Sequence, residues 1–232
     1  MKIALAQISS IPGNINENLK KHLDFITRAK DAKIDLIVFP ELSLTGYEPT
    51  LAKSLAFSKS DDRLNLFEDF SSKNNISIAL GLPLALGSKL HIAMAIFEPN
   101  KEIRFYFKQF LHPDELHFFQ PKSNSSIIKI QQKKIKIAIC YEVLVEAHLN
   151  NINSEKIDFF LASVAKHQIG MKKAENALKM ISEKYKIPAL LVNSIGKADG
   201  MTCYGKSLAL NKYAEKISCL NQEESLLIIN LE

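Results

Sequence analysis

Apolar positions along the chain fall into short continuous runs, which alternate with longer stretches where every third or fourth residue is apolar. A run of about four to eight apolar residues closed by Pro, Gly, Asn or a charge reads as a strand buried on both faces, and a three-to-four spacing reads as an amphipathic helix. Strands are expected over Ile3–Ile8, Ile34–Phe39, Ile76–Leu82, Leu90–Phe97, Glu102–Phe107, Ile135–Ile139, Asp158–Leu161, Ala189–Asn193, Tyr204–Leu210 and Leu226–Leu231. The turn Pro12-Gly13-Asn14 leads into a helix, because Asn14 is followed three residues later by Glu17 and then by the apolar face Leu19, Leu23 and Ile26. Further helices are expected around Asp61–Lys73 and Met171–Tyr185. Interleaved strands and helices make an α/β protein. The connections between Ile76 and Phe107, one of them the turn Pro99-Asn100-Lys101, are too short for parallel crossovers, so part of the sheet is expected to be antiparallel. No Pro/Ser/Gly-rich linker, low-complexity segment or solenoid-length repeat interrupts the pattern, which reads as one domain over residues 1–232.

Composition narrows the class. With 232 residues, 47% of them hydrophobic and 24% charged, the chain can bury a core without disulfides or a structural metal. No apolar run approaches the roughly 18 residues of a membrane span. The opening Met1-Lys2-Ile3-Ala4-Leu5-Ala6 breaks at Gln7 where a signal peptide would continue, so a cytoplasmic protein is expected. The net charge of +5 comes from dispersed basic residues, nearly all lysine. The densest group, Lys133-Lys134-Ile135-Lys136, reads as a solvated entrance to a strand, and neither a nucleic-acid nor a membrane partner is expected. Cys140, Cys203 and Cys219 are odd in number and contain no CxxC pair, against a disulfide framework or a cysteine-built zinc site; Cys203 and Cys219 read as structural. His112, Glu115 and His117 have the wrong spacing for a helical zinc site, since Pro113 and Asp114 intervene and the histidines are five apart.

Three strand ends each deliver a reactive side chain. The run ending Ile37-Val38-Phe39-Pro40 is followed by Glu41, the run ending Phe105-Tyr106-Phe107 by Lys108, and the run Ile135–Ile139 by Cys140. A thiol is a poor nucleophile until a base takes its proton, a carboxylate can be that base, and an ammonium beside a reacting carbonyl stabilises the oxyanion. No G-x-S-x-G elbow or glycine-rich phosphate loop is present, and the chain has only eight glycines. Singly, Cys140 could be a small core hydrophobe, and Glu41 with Lys108 a structural ion pair.

The surrounding words are more specific. Phe39-Pro40-Glu41-Leu42-Ser43-Leu44-Thr45-Gly46-Tyr47 resembles the glutamate motif of the nitrilase superfamily of carbon–nitrogen hydrolases. Lys108 with Leu111-His112-Pro113, then Glu115 and Phe118-Phe119-Gln120-Pro121, resembles its lysine motif and second glutamate, and Ile137-Ala138-Ile139-Cys140-Tyr141-Glu142 its nucleophile motif. Asn193-Ser194-Ile195-Gly196 and Tyr204-Gly205-Lys206-Ser207 match later landmarks. The resemblance runs in order from Lys2 to about Lys216. It implies a four-layer α-β-β-α sandwich with mixed sheets, commonly paired into a homodimer or larger assembly. Glu41 would be the general base and acid, Lys108 the oxyanion stabiliser, Cys140 the nucleophile and Glu115 an auxiliary carboxylate, with the backbone N–H of Tyr141 completing the oxyanion hole. No metal or organic cofactor is implied. Tyr47, Tyr141, Glu142 and Lys166 are the expected substrate-binding residues.

Glu115 could instead cap the turn after Pro113, the Tyr47 hydroxyl could line the pocket or merely satisfy a turn, and Lys166 could be a solvated loop lysine. The chain also departs from the family's words: Glu142 stands where many members have Asp, Lys122 where a glycine is usual, and Ala162-Ser163-Val164-Ala165-Lys166 where a proline-rich pocket segment is usual. The expected activity is cleavage of a small, non-peptide amide or carbamoyl compound through a cysteine thioester, releasing ammonia or an amine. Nitrile hydrolysis by the same trio, an idle binding member, and an ammonia-producing partner of a synthetase are the alternatives. The family's nitrilases often carry tryptophan after the cysteine, and this chain has none.

Overall fold

In the computed structural model, which describes residues 1–231, the interleaved pattern becomes two six-stranded mixed sheets packed face to face. The first half of the chain contains β1 (Lys2–Gln7), α1 (Ile15–Asp31), β2 (Leu36–Val38), α2 (Asn65–Asn74), β3 (Ser77–Leu86), β4 (Lys89–Phe97) and β5 (Arg104–Phe107). The second contains β6 (Ile127–Ile130), β7 (Lys133–Ile139), β8 (Phe159–Val164), α3 (Gln168–Tyr185), β9 (Ala189–Asn193), β10 (Ile195–Ala198), β11 (Met201–Tyr204), β12 (Leu208–Leu210), β13 (Lys216–Cys219) and β14 (Ser225–Asn230). One sheet runs β14-β1-β2-β3-β4-β5, the other β13-β12-β9-β8-β7-β6, and β10 and β11 form a separate hairpin. In each sheet three central strands are parallel, β1-β2-β3 and β7-β8-β9, and antiparallel strands flank them. The antiparallel pairing expected between Ile76 and Phe107 is present as β3-β4-β5.

The continuous apolar runs are explained by burial on both faces. Alternate residues Ile3, Leu5, Leu36 and Val38 of one sheet meet Ile135, Ile137, Ile139 and Leu161 of the other. The residues between them point outward: Ala4, Ala6 and Ile37 pack under Phe25, Ile26 and Ala29 of α1, while Ala138, Phe160 and Ala162 pack under Ala174, Leu178 and Ile181 of α3. The result is a four-layer α-β-β-α sandwich. Helix α1 starts as its sequence indicates, with the Asn14 side chain accepting the Glu17 N–H. No helix among the described residues is long and apolar enough to cross a membrane.

Strands β6, β10 and β13 are not among those expected, and three further local readings differ. The run Tyr204–Leu210 is two strands rather than one: the chain turns at Gly205 and Lys206, both at positive φ, and passes from the hairpin into the main sheet. A Cβ at Gly205 would lie 2.6 Å from Ile195 Cγ2, so this turn requires glycine. Helix α3 begins at Gln168, three residues before the apolar pattern does, because His167 caps it through Nδ1. The lysine-rich entrance to β7 is not wholly solvated: Lys136 is buried on the α3 side of the sheet, and its ammonium donates to Ser126 Oγ at 2.7 Å. Of the cysteines, Cys203 is buried and Cys219 exposed, and neither forms a disulfide.

Candidate active site

Glu41, Lys108 and Cys140 converge where the two sheets meet. The Glu41 segment leaves β2 with a Phe39 N–H bond to the Ala79 carbonyl and rejoins β3 through Leu44 N–H to the Gly81 carbonyl. Between these anchors Pro40 donates nothing and Leu42 sits at φ 51°. The bulge presses against β3 so closely that a Cβ at Gly81 would lie 2.3 Å from Leu42 N. From the opposite sheet, Ser163 Oγ donates to the Phe39 carbonyl at 2.9 Å. Lys108 continues the β5 ladder by one bond, its N–H to the Ile92 carbonyl. Cys140 follows β7 at φ 48°, a left-handed conformation that is strained for a side chain other than glycine and turns the thiol out of the ladder.

Lys108 is fully buried and donates to two carboxylates, Glu41 Oε1 at 2.7 Å and Glu115 Oε1 at 2.6 Å. Burial opposes its charge, but Glu41, Glu115 and Cys140 together outweigh it, and the ammonium is held well above its ordinary pKa. Glu41 is pushed above the usual carboxylate range by burial, against the pull of Lys108. Its Oε2 is buried without a hydrogen-bond partner, and the Cys140 thiol is among the groups that lower its pKa. The thiol itself is pushed up to about 11, by desolvation first and then by Glu41, while Lys166 and Lys108 pull the other way. At neutral pH the site therefore holds a protonated thiol and a charged ammonium beside a buried carboxyl with one unpartnered oxygen.

Glu115 bonds to Lys108 and also caps a turn. Its Oε1 accepts from Lys108 and from the Tyr47 hydroxyl at 2.9 Å, while its Oε2 accepts the His112 N–H at 2.8 Å and so caps the turn Pro113–His117. These groups underlie a cavity of about 450 Å³ lined by Tyr47, Glu115, Cys140, Tyr141, Lys166 and Asp199 among others. Tyr141 stands edge-on to the His112 ring, 5.3 Å between centroids. Lys166 lies in the loop between β8 and α3 and lines the cavity. Asn193 grips both its N–H (2.8 Å) and its carbonyl (3.0 Å), and its aliphatic stem lies along Gly170 of α3. Asn193 and Ser163 do this work unseen in the sequence, because their partners are distant in the chain. The substrate contact expected of Glu142 does not match its position. It is fully buried, does not line the cavity, and spends both oxygens on Tyr106 and on backbone N–H groups.

A family model for carbon–nitrogen hydrolases matches residues 2–232. The chain belongs to the carbon–nitrogen hydrolase family. Among curated relatives of this hydrolase, a glutamine-dependent NAD(+) synthetase of Thermotoga maritima is 24% identical over the whole of this chain but only 42% of its own length, and one of Aquifex aeolicus matches to the same extent. The chain thus spans less than half the length of these relatives. Among solved structures, the amidase of Nesterenkonia sp. AN1, captured with acrylamide added at its active-site cysteine, superposes with a TM-score of 0.90 at 20% identity, covering 100% of this chain and 93% of the amidase. The glutamine-dependent NAD+ synthetase of Acinetobacter baumannii superposes with a TM-score of 0.86 at 22% identity, covering 98% of this chain and 44% of that one. Both share the hydrolase's two-sheet sandwich.

Proposed function

We propose that this carbon–nitrogen hydrolase is an amidase in which Cys140 attacks the carbonyl of a small, non-peptide amide. The observation that carries the reading is the buried Lys108 ammonium bonded to both Glu41 and Glu115 beneath a cavity that reaches Cys140. Glu41 takes the thiol proton as the sulfur–carbon bond forms. Charge then develops on the carbonyl oxygen, where the Lys108 ammonium and the Tyr141 N–H receive it. As the tetrahedral adduct collapses, Glu41 returns the proton to the departing nitrogen, and ammonia or an amine leaves a thioester on Cys140. Water attacks the thioester with Glu41 again as base, and the acid and free thiol are released. A base whose pKa is raised by burial suits both directions of that transfer. Glu115 keeps Lys108 aimed and its charge fixed throughout.

The reading extends to an amide that carries a carboxylate at its far end, an ω-amide of a dicarboxylic acid, received by Lys166 rather than by the wall as a whole, to which Asp114, Glu115 and Asp199 also belong. Lys166 is the supporting residue, held by Asn193 at the cavity and close enough to Cys140 to act on its titration. Glutamine has this shape, and the relatives' name, glutamine-dependent NAD(+) synthetase, supports it as amide donor. That name also supports a second reading, in which the ammonia is consumed by a synthetase. Ammonia release from a panel of amides, carbamoyl compounds and nitriles, with Cys140→Ala in parallel, tests the reading. Release from ω-amides by wild type alone is expected. A nitrile preference, or activity surviving in Cys140→Ala, overturns it.

A further inference from the structure

Glu142 is a buried carboxylate that the chemistry just described does not use. It touches neither Glu41 nor the cavity, and the side chain nearest to pairing with it, His148 at 3.9 Å, is neutral because burial pushes its pKa down to about 4. Lys108 and Lys136 act on Glu142 only through the field, without a direct bond, and a buried carboxylate with no bonded cation is costly unless its oxygens are fully hydrogen-bonded, so its donors indicate what it does. They divide by oxygen. Oε1 accepts the N–H groups of Gln109 at 2.6 Å and Phe110 at 3.3 Å, the residues directly after Lys108. Oε2 accepts the N–H of Ile139 at 2.7 Å, the residue directly before Cys140. The Tyr106 hydroxyl, two residues before Lys108, bonds to both oxygens at 2.9 and 2.8 Å. Lys108 follows β5 of one sheet and Cys140 follows β7 of the other, and these two strands share no ladder.

We propose that Glu142 is a positioning residue, whose carboxylate ties the strand end carrying Lys108 to the strand end carrying Cys140 and so sets the distance between ammonium and sulfur. The inference rests on the reading that these two residues act on one carbonyl. A glutamine in this place keeps the shape of glutamate but turns an NH2 group toward backbone N–H donors, so one strand end must move away. Because the tie never meets substrate, its loss belongs in kcat rather than KM.

The test compares Glu142→Gln, Tyr106→Phe and Leu178→Ala, the last a control that loosens the core beneath α3, against which Cys140 also packs, while leaving every donor to Glu142 in place. Each is assayed for ω-amide hydrolysis and for the rate at which iodoacetamide alkylates Cys140, below its own unfolding temperature. Glu142→Gln is expected to lower kcat on the order of 10- to 100-fold, with KM within about threefold and a parallel fall in alkylation. Tyr106→Phe, which leaves the backbone donors in place, is expected to shift both rates the same way but less. The proposal is overturned by a folded Glu142→Gln with unchanged kcat and alkylation, by a loss confined to KM, or by an equal loss in Leu178→Ala. If wild type hydrolyses no amide, the amidase reading fails, while the alkylation rates still decide the tie.

Discussion

Ser163 and Phe39, 124 residues apart, are joined by a hydrogen bond of 2.9 Å from the serine hydroxyl on β8 to the carbonyl two residues before Glu41. This bond crosses between the sheets and anchors the Glu41 segment. Ser163→Ala leaves a buried carbonyl short of a donor, for which about 1–3 kcal/mol of stability is expected to be lost in urea unfolding. Activity should fall with it, since Glu41 loses an anchor.

Gly81 is expected to be irreplaceable for a different reason. A Cβ there lies within 2.3–2.8 Å of backbone atoms of Pro40, Glu41 and Leu42, none of which can rotate aside. Gly81→Ala should destabilise the fold by about 1–3 kcal/mol, as overpacking does, and lower kcat by displacing Glu41. Unfolding curves together with kinetics check both. Normal activity in the variant would show that the bulge shifts without harm.

The two carboxylates around Lys108 predict opposite outcomes for two substitutions. Glu41→Gln keeps the volume and leaves Glu115 to partner the ammonium, so the fold should persist while kcat drops about 10²–10⁴-fold. Lys108→Met leaves two buried carboxylates facing each other, and about 3–5 kcal/mol of stability should be lost along with activity.

Lys166 is expected to select charge. Lys166→Ala should reduce kcat/KM for amides bearing a carboxylate by about 10- to 100-fold, consistent with about 1.5–3 kcal/mol for a hydrogen bond to a charged group, and leave neutral amides nearly unchanged. Equal losses on both substrate types would count against a carboxylate contact.

Acid sensitivity should arise from two buried neutral histidines. The His22 Nδ1–H donates to the Asn18 carbonyl, and Nε2 accepts from the Ser43 hydroxyl. Burial lowers its pKa from 6.5 to about 4, and His148 is lowered to the same extent. Both take up protons more readily when unfolded, so they stabilise the fold above pH 6.5 and that stability is lost as the pH falls through about 4. Each contributes on the order of 3 kcal/mol across that window. The melting temperature of wild type should fall between these pH values, and that of His148→Gln should fall less steeply.

Much of the site was legible before folding. Apolar runs mark where strands stop, and Glu41, Lys108 and Cys140 each stand one or two residues beyond such a run, where a rigid strand can present a side chain to a cleft. For Glu115 the sequence left open an auxiliary carboxylate or a simple turn cap, and the structure has one oxygen bonded to Lys108 and the other capping the turn. Glu142 was not legible. It stands two residues after Cys140 in the chain, but the role proposed for it depends on donors at residues 106–110, which only the meeting of the sheets brings near. Lys136 misled for a related reason: alternation along β7 shows that it faces away from Ile135 and Ile137, but not that Ser126 and the Asn150 carbonyl close over its ammonium.

The sequence by itself determined most of the elements, their α/β order, the placing of Glu41, Lys108 and Cys140 at strand ends and the family words around them, because period and strand termination are local properties of a chain. Tertiary structure decided the distances: the 2.7 Å and 2.6 Å bonds of Lys108, the fully used oxygens of Glu142, the grip of Asn193 on Lys166 and the need for glycine at position 81. Each depends on how one sheet lies against another or against its own loops. That placement is set by the simultaneous packing of all layers, and no window of sequence contains it.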